Sequence, residues 1–267
     1  MTTSLIIKSP SASTDTTLPK VLADSLLNTG SLFLMDFLRL GCWNPATDTV
    51  ADGAAVRNLV TGGTAGMLKI PVAGDLTFET GLGFKLKSSV AYGRVQIDTG
   101  TRYFQTNLTD DYLLIAWATY PASDPTGHIG QLISKAVNST YFQAGPMLAV
   151  IYTAGGKIIT HMDAEASNGK SIVIGSPAGK HQFAIAKVGS NTLIFLDGVL
   201  VSTQATGTPA LTANSTPLNF GNGASSTMYA CPSTILHRIY AENLTTSGLT
   251  AAAVVAADYA ANSSRFV

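Results

Sequence analysis

Asp163 and Glu165 stand at alternate positions of the chain, a spacing that places two carboxylates on the same face of a strand. Two carboxylates facing one cleft can act as nucleophile and acid–base catalyst in glycoside hydrolysis. The residues that follow, ASNG, supply no third acid. We therefore interpret the pair as part of a solvated turn, and we predict no catalytic residue and no enzymatic activity.

Potential metal ligands are few and scattered. Asp110-Asp111, and Asp48 with Asp52, are the acidic pairs, and neither pair alone suggests the six or more oxygens that a hard cation needs. Turn formation is the preferred interpretation of these aspartates. The histidines also lack the spacing of a zinc site; they are His128, His161, His181 and His237. We therefore predict no metal, and we predict no other cofactor.

Aromatic side chains have a further use, since a ring face can stack on the apolar face of a pyranose. For each of them, packing within the core or across strands is the preferred interpretation. Trp43, next to a loop, and Tyr229, in the loop before the last predicted strand, look least like core residues and are the candidate glycan contacts. The aromatic residues that could in principle contribute to sugar binding are Trp43, Trp117, Tyr120, Tyr141, Tyr152 and Tyr229.

The balance of charge argues against several classes of partner. Lysine plus arginine number 16 and aspartate plus glutamate number 16, which predicts neither nucleic-acid nor anionic-membrane binding. Charged residues make up only 12% of the chain, well below the usual content of about a quarter, and this favours a surface covered by neighbours in an assembly. Residues 1–17 lack the pattern of a secretory signal, and the chain lacks an apolar run of roughly 18 residues that would span a membrane.

The stretch Lys180–Asn222 organises the predicted fold. Asp197-Gly198 separates two apolar runs and predicts a type I′ hairpin, because both central residues of that turn need a positive φ. Leu193–Leu196 is apolar on both faces, which predicts a strand covered on both sides. Short runs separated by glycine and aspartate turns predict an antiparallel β-sandwich, with strands over 31–40, 82–87, 94–98, 112–120, 131–136, 141–142, 147–153, 157–162, 172–174, 181–188, 192–196, 199–202, 217–220 and 233–241.

Two helices and one long loop complete the prediction. Leu18–Leu27 is predicted to be a short helix, and Leu249–Ala260 a second one that Thr250 caps. Residues 44–66 are predicted to be a loop. We divide the chain into an N-terminal arm and helix at 1–30, which serves attachment or packs on its own domain, and a β-sandwich at 31–267.

The order of these segments resembles the laminin-G-like branch of the concanavalin A-like jelly rolls. The resemblance spans roughly residues 31–261 and lies in the order of weak elements rather than in any one of them. The segments that carry it are DDYLLIAWATYP, GQLISKAVNSTYFQ, KHQFAIAKVGSNTLIFLDGVLV, PLNFGNG and ILHRIYAENLTTSGLTAAAVVAADYA. It implies an all-β antiparallel jelly-roll sandwich with a C-terminal helix.

This fold occurs in lectins, adhesion domains and glucanases, so it leaves the function open. Glucanases of the fold share a Glu-x-Asp-x-x-Glu strand that this chain lacks. Domains of this kind also occur on phage tails and capsids. By analogy we expect a non-enzymatic structural protein of a phage particle, such as a capsid decoration, fibre or tail component. It would reside in the virion and bind other virion proteins or copies of itself through residues 1–30. The alternative is a glycan-binding module that recognises cell-surface carbohydrate, and a glycoside hydrolase ranks third.

The resemblance also implies a position for the two cysteines. In laminin-G-like sandwiches the first and last strands tend to be antiparallel neighbours. Cys42 follows the first predicted strand and Cys231 precedes the last. We therefore expect Cys42 and Cys231 to lie close in space, with bonding left to the redox conditions of the compartment.

Overall fold

Strands make up most of the regular structure in the computed structural model of the chain. The structure describes residues 24–86, 93–97, 109–122, 129–134, 147–151, 156–161, 170–205, 217–221 and 233–266. The strands are β1 Ser31–Asp36, β2 Ala55–Val56, β3 Gly66–Lys69, β4 Leu76–Glu79, β5 Gly83–Leu86, β6 Arg94–Ile97, β7 Tyr112–Tyr120, β8 Ile129–Ser134, β9 Met147–Ile151, β10 Lys157–His161, β11 Lys170–Val173, β12 Gly179–Val188, β13 Asn191–Leu196, β14 Val199–Ala205, β15 Leu218–Phe220 and β16 Ile235–Asn243. Two helices follow β16, α1 Leu244–Ser247 and α2 Ala251–Asn262.

The strands form two sheets in which every described pairing is antiparallel. Sheet I runs β14-β13-β12-β7-β16-β5-β4, with β1 also paired to β16, and sheet II runs β11-β10-β9-β8-β15-β6-β3-β2. The predicted antiparallel β-sandwich is confirmed. The prediction that the first and last core strands are antiparallel neighbours is also confirmed, since Leu34 pairs with Tyr240.

The main core lies between the two sheets. Phe33 of β1 meets Phe220 of β15 edge-on with ring centroids 5.6 Å apart, which links sheet I to sheet II. Both side chains are at most 1% exposed. Alternating apolar residues of both sheets fill the same layer, including Met35, Leu68, Phe84, Val95, Ile133, Val150, Ile185 and Ile194.

A second apolar layer covers the outer face of sheet I. Helix α2 lies on that face, and Val254 and Val255 pack with Trp117 of β7 and Phe195 of β13. On β13, Ile194 points into the main core and Phe195 into this outer layer. The prediction of a strand covered on both faces is therefore confirmed. Thr250 caps α2 as predicted, because its Oγ1 accepts the N–H of Ala253 at 3.3 Å.

The Asp-Gly hairpin between β13 and β14 has the predicted backbone. Asp197 has φ 51° and Gly198 has φ 82°, the two positive values of a type I′ turn. The Asp197 carboxylate also accepts the backbone N–H of Gln182 at 2.9 Å and contacts His181 Nδ1 at 2.8 Å. The aspartate thus ties the turn to the neighbouring strand β12.

Several predicted bounds differ from the structure. Residues 44–66 contain β2 and the start of β3, so the prediction of a continuous loop is wrong there. β1 ends at Asp36 because the chain then turns through residues 37–43. In the predicted N-terminal helix, residues 24–27 instead form a turn, and residues 18–23 lie outside the described residues.

A buried cluster of charges joins the two ends of the described chain to sheet I. Arg238 of β16, which is fully buried, donates to Asp24 at 2.8 and 3.0 Å, to Asp36 at 3.0 Å and to Asp258 at 3.1 Å. Burial by itself lowers the pKa of Arg238, but the hydrogen bonds and charges of the three aspartates outweigh burial and raise it. Arg265 adds two further bonds to Asp36, at 2.7 and 3.1 Å. The buried Asp36 is therefore paired, as its cost of burial requires.

His237 is another buried ionisable group of β16. Its Nδ1 donates to Leu82 O at 2.7 Å and its Nε2 accepts the Thr119 hydroxyl at 2.7 Å, the pattern of a neutral ring. Phe266 stacks on the ring at 4.9 Å. Burial lowers the pKa of His237 to about 4.

This depressed pKa predicts a specific loss of stability in acid. Below the ordinary pKa of 6.5 the unfolded chain binds a proton that the folded chain excludes until about pH 4. The stability contributed by neutral His237 is therefore complete above pH 6.5 and falls as pH drops, by roughly 2 kcal/mol at pH 5. Denaturant unfolding at pH 7.5 and 5 should show a loss for the native protein that exceeds the loss for H237Q by this amount. Equal pH dependence in both proteins would contradict the assignment.

Candidate functional site

A cavity opens at one end of the sandwich, between the segment after β1 and strand β4. Its volume is about 360 Å³, and its lining combines aromatic, aliphatic and hydrogen-bonding side chains. The lining residues are Trp43, Pro45, Asp48, Val50, Thr77, Phe78 and Thr80. We call this the Trp43 cavity.

Local turns place Trp43 at this position. After β1 ends, the N–H groups of Cys42 and Trp43 both bond to Arg39 O, at 2.8 and 3.0 Å. This turn directs the indole inward, where it meets Phe84 edge-on at 4.9 Å and Phe78 at 6.1 Å. Trp43 is 1% exposed, so it forms the base of the cavity, and the half-buried Phe78 forms a wall.

The carboxylate of Asp48 is fixed at the cavity by the loop that carries it. Its Oδ2 accepts the Asn44 N–H at 2.7 Å and Arg57 Nη2 at 2.5 Å, and its Oδ1 accepts Arg57 Nη1 at 3.2 Å. The hydrogen bonds from Arg57 and from the Asn44 backbone lower the pKa of Asp48. The Thr47 hydroxyl reaches Oδ1 only at 3.4 Å. Asp48 is thus an ionised acceptor with room for one further short bond.

Two polar atoms on the residues that line the cavity have no partner within the described chain. These are the Nε1 of Trp43 and the Oγ1 of Thr77, and both atoms are buried. A buried donor or hydroxyl without a hydrogen bond costs about 1 to 3 kcal/mol. The two groups therefore lower the stability of the protein, and their burial leaves neither atom accessible to a molecule in the cavity.

The structure describes some of the residues that the sequence suggested as site residues and not others. Trp43 lies in the cavity, whereas Tyr229, Cys231, Asp163 and Glu165 lie outside the described residues. Cys42 is a buried free thiol whose pKa is raised to about 12, first by burial and then by the charge of Asp36. The expected proximity of Cys42 to Cys231 stays a prediction.

The acidic pairs within the described residues have structural partners, as do His181 and His237. Asp111 Oδ1 accepts the Gly189 N–H at 2.7 Å, and Asp52 Oδ1 accepts the Ile70 N–H at 2.8 Å. Asp110 accepts the Asn243 side chain at 2.8 Å. Across the described ranges, no group of three or more histidine, cysteine, aspartate or glutamate side chains is arranged to hold a metal.

Sequence reasoning missed Thr77, Phe78 and Thr80. They belong to β4 and the turn after it, a strand of only four residues. The alternation of Leu76 and Phe78 with threonines is the signal that could have identified it. Nothing in the sequence, however, indicates that this strand lies beside Trp43.

Comparisons with known proteins identify the fold. No protein-family model and no curated protein matches the sequence. A sialidase from Trypanosoma rangeli superposes with a TM-score of 0.60 at 11% identity, over 90% of this chain and 34% of the sialidase chain. The binding domain of botulinum neurotoxin serotype D superposes with a TM-score of 0.57 at 11% identity, over 88% of this chain and 52% of the other. These similarities show the fold alone.

A third structure concerns botulinum neurotoxin type C, whose cell entry depends on interaction with two ganglioside molecules. It matches with a TM-score of 0.57 at 11% identity, over 87% of this chain and 51% of that one. The chain thus spans about a third of the sialidase and about half of the toxin chains. These similarities give no support to the predicted virion role. In the described part of the chain, neither helix has the length and apolarity to cross a membrane.

Proposed function

We propose that this protein is a non-enzymatic glycan-binding module and that the Trp43 cavity holds one sugar residue of its ligand. The observation that carries the proposal is the combination of an aromatic wall, Phe78, and a fixed carboxylate, Asp48, at one cavity of about 360 Å³. That volume lies at the lower end of the range for ligand pockets, about 300 to 1,000 Å³. A small, amphipathic ligand fits this size and lining.

A pyranose ring has the complementary chemistry. Its apolar face can pack on Phe78, which is half-buried and borders the cavity. Its hydroxyls can donate to Asp48 and exchange a hydrogen bond with the exposed hydroxyl of Thr80. The shared fold supports the proposal, because one protein of that fold is a sialidase and another enters cells through gangliosides.

The cavity favours binding over hydrolysis. Glycoside hydrolysis uses two carboxyl groups about 5 to 10 Å apart, and the lining of the cavity contains one, Asp48. Of the described buried aspartates, Asp24, Asp36 and Asp258 are engaged by Arg238 on the other side of sheet I, and Asp75 is not among the residues that line the cavity. The hypothesis of a phage particle component attached through residues 1–30 stays a prediction beside this proposal.

The two tryptophans of the chain provide a direct test by nuclear magnetic resonance. Titration with D-galactose, D-mannose or N-acetylglucosamine, chosen after a glycan array, should shift the indole N–H signal of Trp43. The indole of Trp117 donates to Asp258 at 2.6 Å in the outer layer, so its signal should stay in place. Absence of array binding together with an unmoved Trp43 signal would reject the proposal.

Replacement of Thr77 by valine separates binding from stability. T77V removes a buried hydroxyl that lacks a partner, so we expect the free energy of unfolding to rise by about 1 kcal/mol. T77V should leave affinity for the glycan identified above unchanged, whereas T80V, which removes an exposed hydroxyl of the lining, should lower it about tenfold, which corresponds to about 1.4 kcal/mol. Denaturant unfolding and isothermal titration calorimetry measure the two effects.

Thr192 offers the matched control. Its buried Oγ1 likewise lacks a partner, and it lies on β13, away from the cavity lining. T192V should change stability in the same direction as T77V and leave glycan affinity unchanged. An equal loss of affinity in T80V and T192V would place the binding site elsewhere.

A further inference from the structure

Resting on the proposed function, we infer that the Trp43 cavity selects a neutral sugar residue and rejects one that carries a carboxylate, such as a sialic or uronic acid. The inference comes from the charge of the lining. Among the seven lining residues, Asp48 is the only charged one.

Asp48 presents a negative charge to the cavity. Its pKa is lowered chiefly by the hydrogen bonds from Arg57, so the group is ionised at neutral pH. An ionised carboxylate only accepts hydrogen bonds. It can receive a sugar hydroxyl, whereas a sugar carboxylate in the same position meets a like charge and offers no proton.

Arg57 does not reverse this preference. Its guanidinium directs Nη1 and Nη2 to Asp48, Nη2 also to Leu40 O at 3.4 Å, and Nε to Gly41 O at 3.1 Å. These bonds engage all three guanidinium nitrogens within the protein, and Arg57 is not among the residues that line the cavity. The remaining lining groups that can hydrogen-bond through side chains are the hydroxyls of Thr77 and Thr80 and the indole N–H of Trp43, and none of them carries positive charge.

The geometry therefore suits a hydroxyl-rich ring. A ligand hydroxyl can replace the long Thr47 contact to Asp48 Oδ1, and a second hydroxyl can exchange a hydrogen bond with Thr80. A bound carboxylate would need a basic side chain or several convergent donors. The selectivity of this cavity would consequently differ from that of a site for sialylated ligands.

Pairs of related sugars in which one member carries a carboxylate test the inference on the native protein. Binding of D-galactose against D-galacturonic acid, D-glucose against D-glucuronic acid, and lactose against 3′-sialyllactose should be measured at pH 7 by titration with Trp43 indole detection. We expect at least a tenfold preference for the neutral member of whichever pair binds. Equal or tighter binding of the acidic member overturns the inference and leaves the proposed function standing. No binding of any member, with a negative glycan array, counts against the proposed function itself.

D48N identifies the cause of the selectivity. Asparagine retains an acceptor for the Asn44 N–H and removes the charge, so the preference for the neutral sugar should fall below threefold. E79Q is the control, because Glu79 is an acid on the same strand β4 that pairs with Lys85 and does not line the cavity. An unchanged preference in D48N, or an equal fall in E79Q, would show that Asp48 does not set the selectivity.

Discussion

Replacement of Arg238 by methionine (R238M) is expected to lower the free energy of unfolding by about 4 kcal/mol, the loss typical of breaking a buried ion pair from one side. Methionine preserves much of the length and packing of arginine but none of its N–H donors. Asp258, which is fully buried, would lose its cation, and Asp24 would lose its bidentate partner. For a domain of this size the midpoint of thermal unfolding should fall by roughly 10 °C.

The large effect follows from what Arg238 holds together. Asp24 belongs to the segment before β1, Asp36 ends β1, and Asp258 lies on α2. One guanidinium therefore connects three separate elements to the middle of sheet I. Trp117, Gln182 and Asn262 also donate to Asp258, at 2.6, 2.7 and 3.0 Å, but these neutral donors do not replace the charge.

R39M is the matched control for this prediction. Arg39 contacts two of the same carboxylates, Asp24 at 3.1 Å and Asp36 at 3.6 Å, but its side chain is 38% exposed. Solvent screening should keep its effect below about 1 kcal/mol. Similar losses in R238M and R39M would mean that burial does not set the strength of this cluster.

Replacement of Gly83 by alanine is the second substitution with a large expected effect. Gly83 has φ +142°, and an added Cβ would lie 2.2 Å from Leu236 O on β16. A side chain there combines backbone strain with a clash against a backbone atom that cannot rotate away. We expect a loss of about 3 kcal/mol in the free energy of unfolding.

The same substitution should weaken glycan binding, because Gly83 positions the hairpin that carries the wall of the cavity. β4 pairs with β5 through Glu79 with Gly83 and through Phe78 with Phe84, and β5 pairs with β16 at Leu236. Displacing β5 from β16 therefore moves Phe78. Unfolding by denaturant and titration with the array-selected sugar measure the two consequences.

G81A controls for backbone conformation alone. Gly81 has φ +82°, and a Cβ there would meet nothing within 4 Å. Its cost should be about 1 kcal/mol, the penalty for a left-handed residue with a side chain. If G81A and G83A destabilise equally, the close approach of Gly83 to Leu236 is not what positions the hairpin.

The parts of the fold that were predictable have strong local signals. β7 was predicted over Tyr112–Tyr120 and has those bounds, because its nine residues are apolar on both faces. The Asp197-Gly198 turn was predicted from these two residues alone, and both have the expected positive φ. β2 and β3 were not predicted, because strands of two and four residues are too short to show the alternation of apolar and polar residues. These strands are stabilised by pairing with neighbouring strands.

The candidate site was predictable only in part. Trp43 was identified from its position beside a loop, while the residues that complete the cavity come from β4, more than 30 positions later in the printed sequence. Asp36 lies in an apolar stretch of the sequence, where an unpaired carboxylate would be costly to bury, so it needs a partner. The identity of that partner, Arg238, was not evident from the sequence, since 202 residues separate the two.

By itself, the sequence determined the class of the molecule: alternating and doubly apolar runs, an Asp-Gly turn and a capped C-terminal helix are local properties that require a layered β structure. The tertiary structure alone decided which side chains meet. It brought Thr77 and Phe78 beside Trp43, turned Arg57 toward Asp48, and surrounded Arg238 with three aspartates. The physical reason is that hydrogen-bond satisfaction and charge pairing depend on distances in space, which strand pairing between remote segments creates and which no local pattern records.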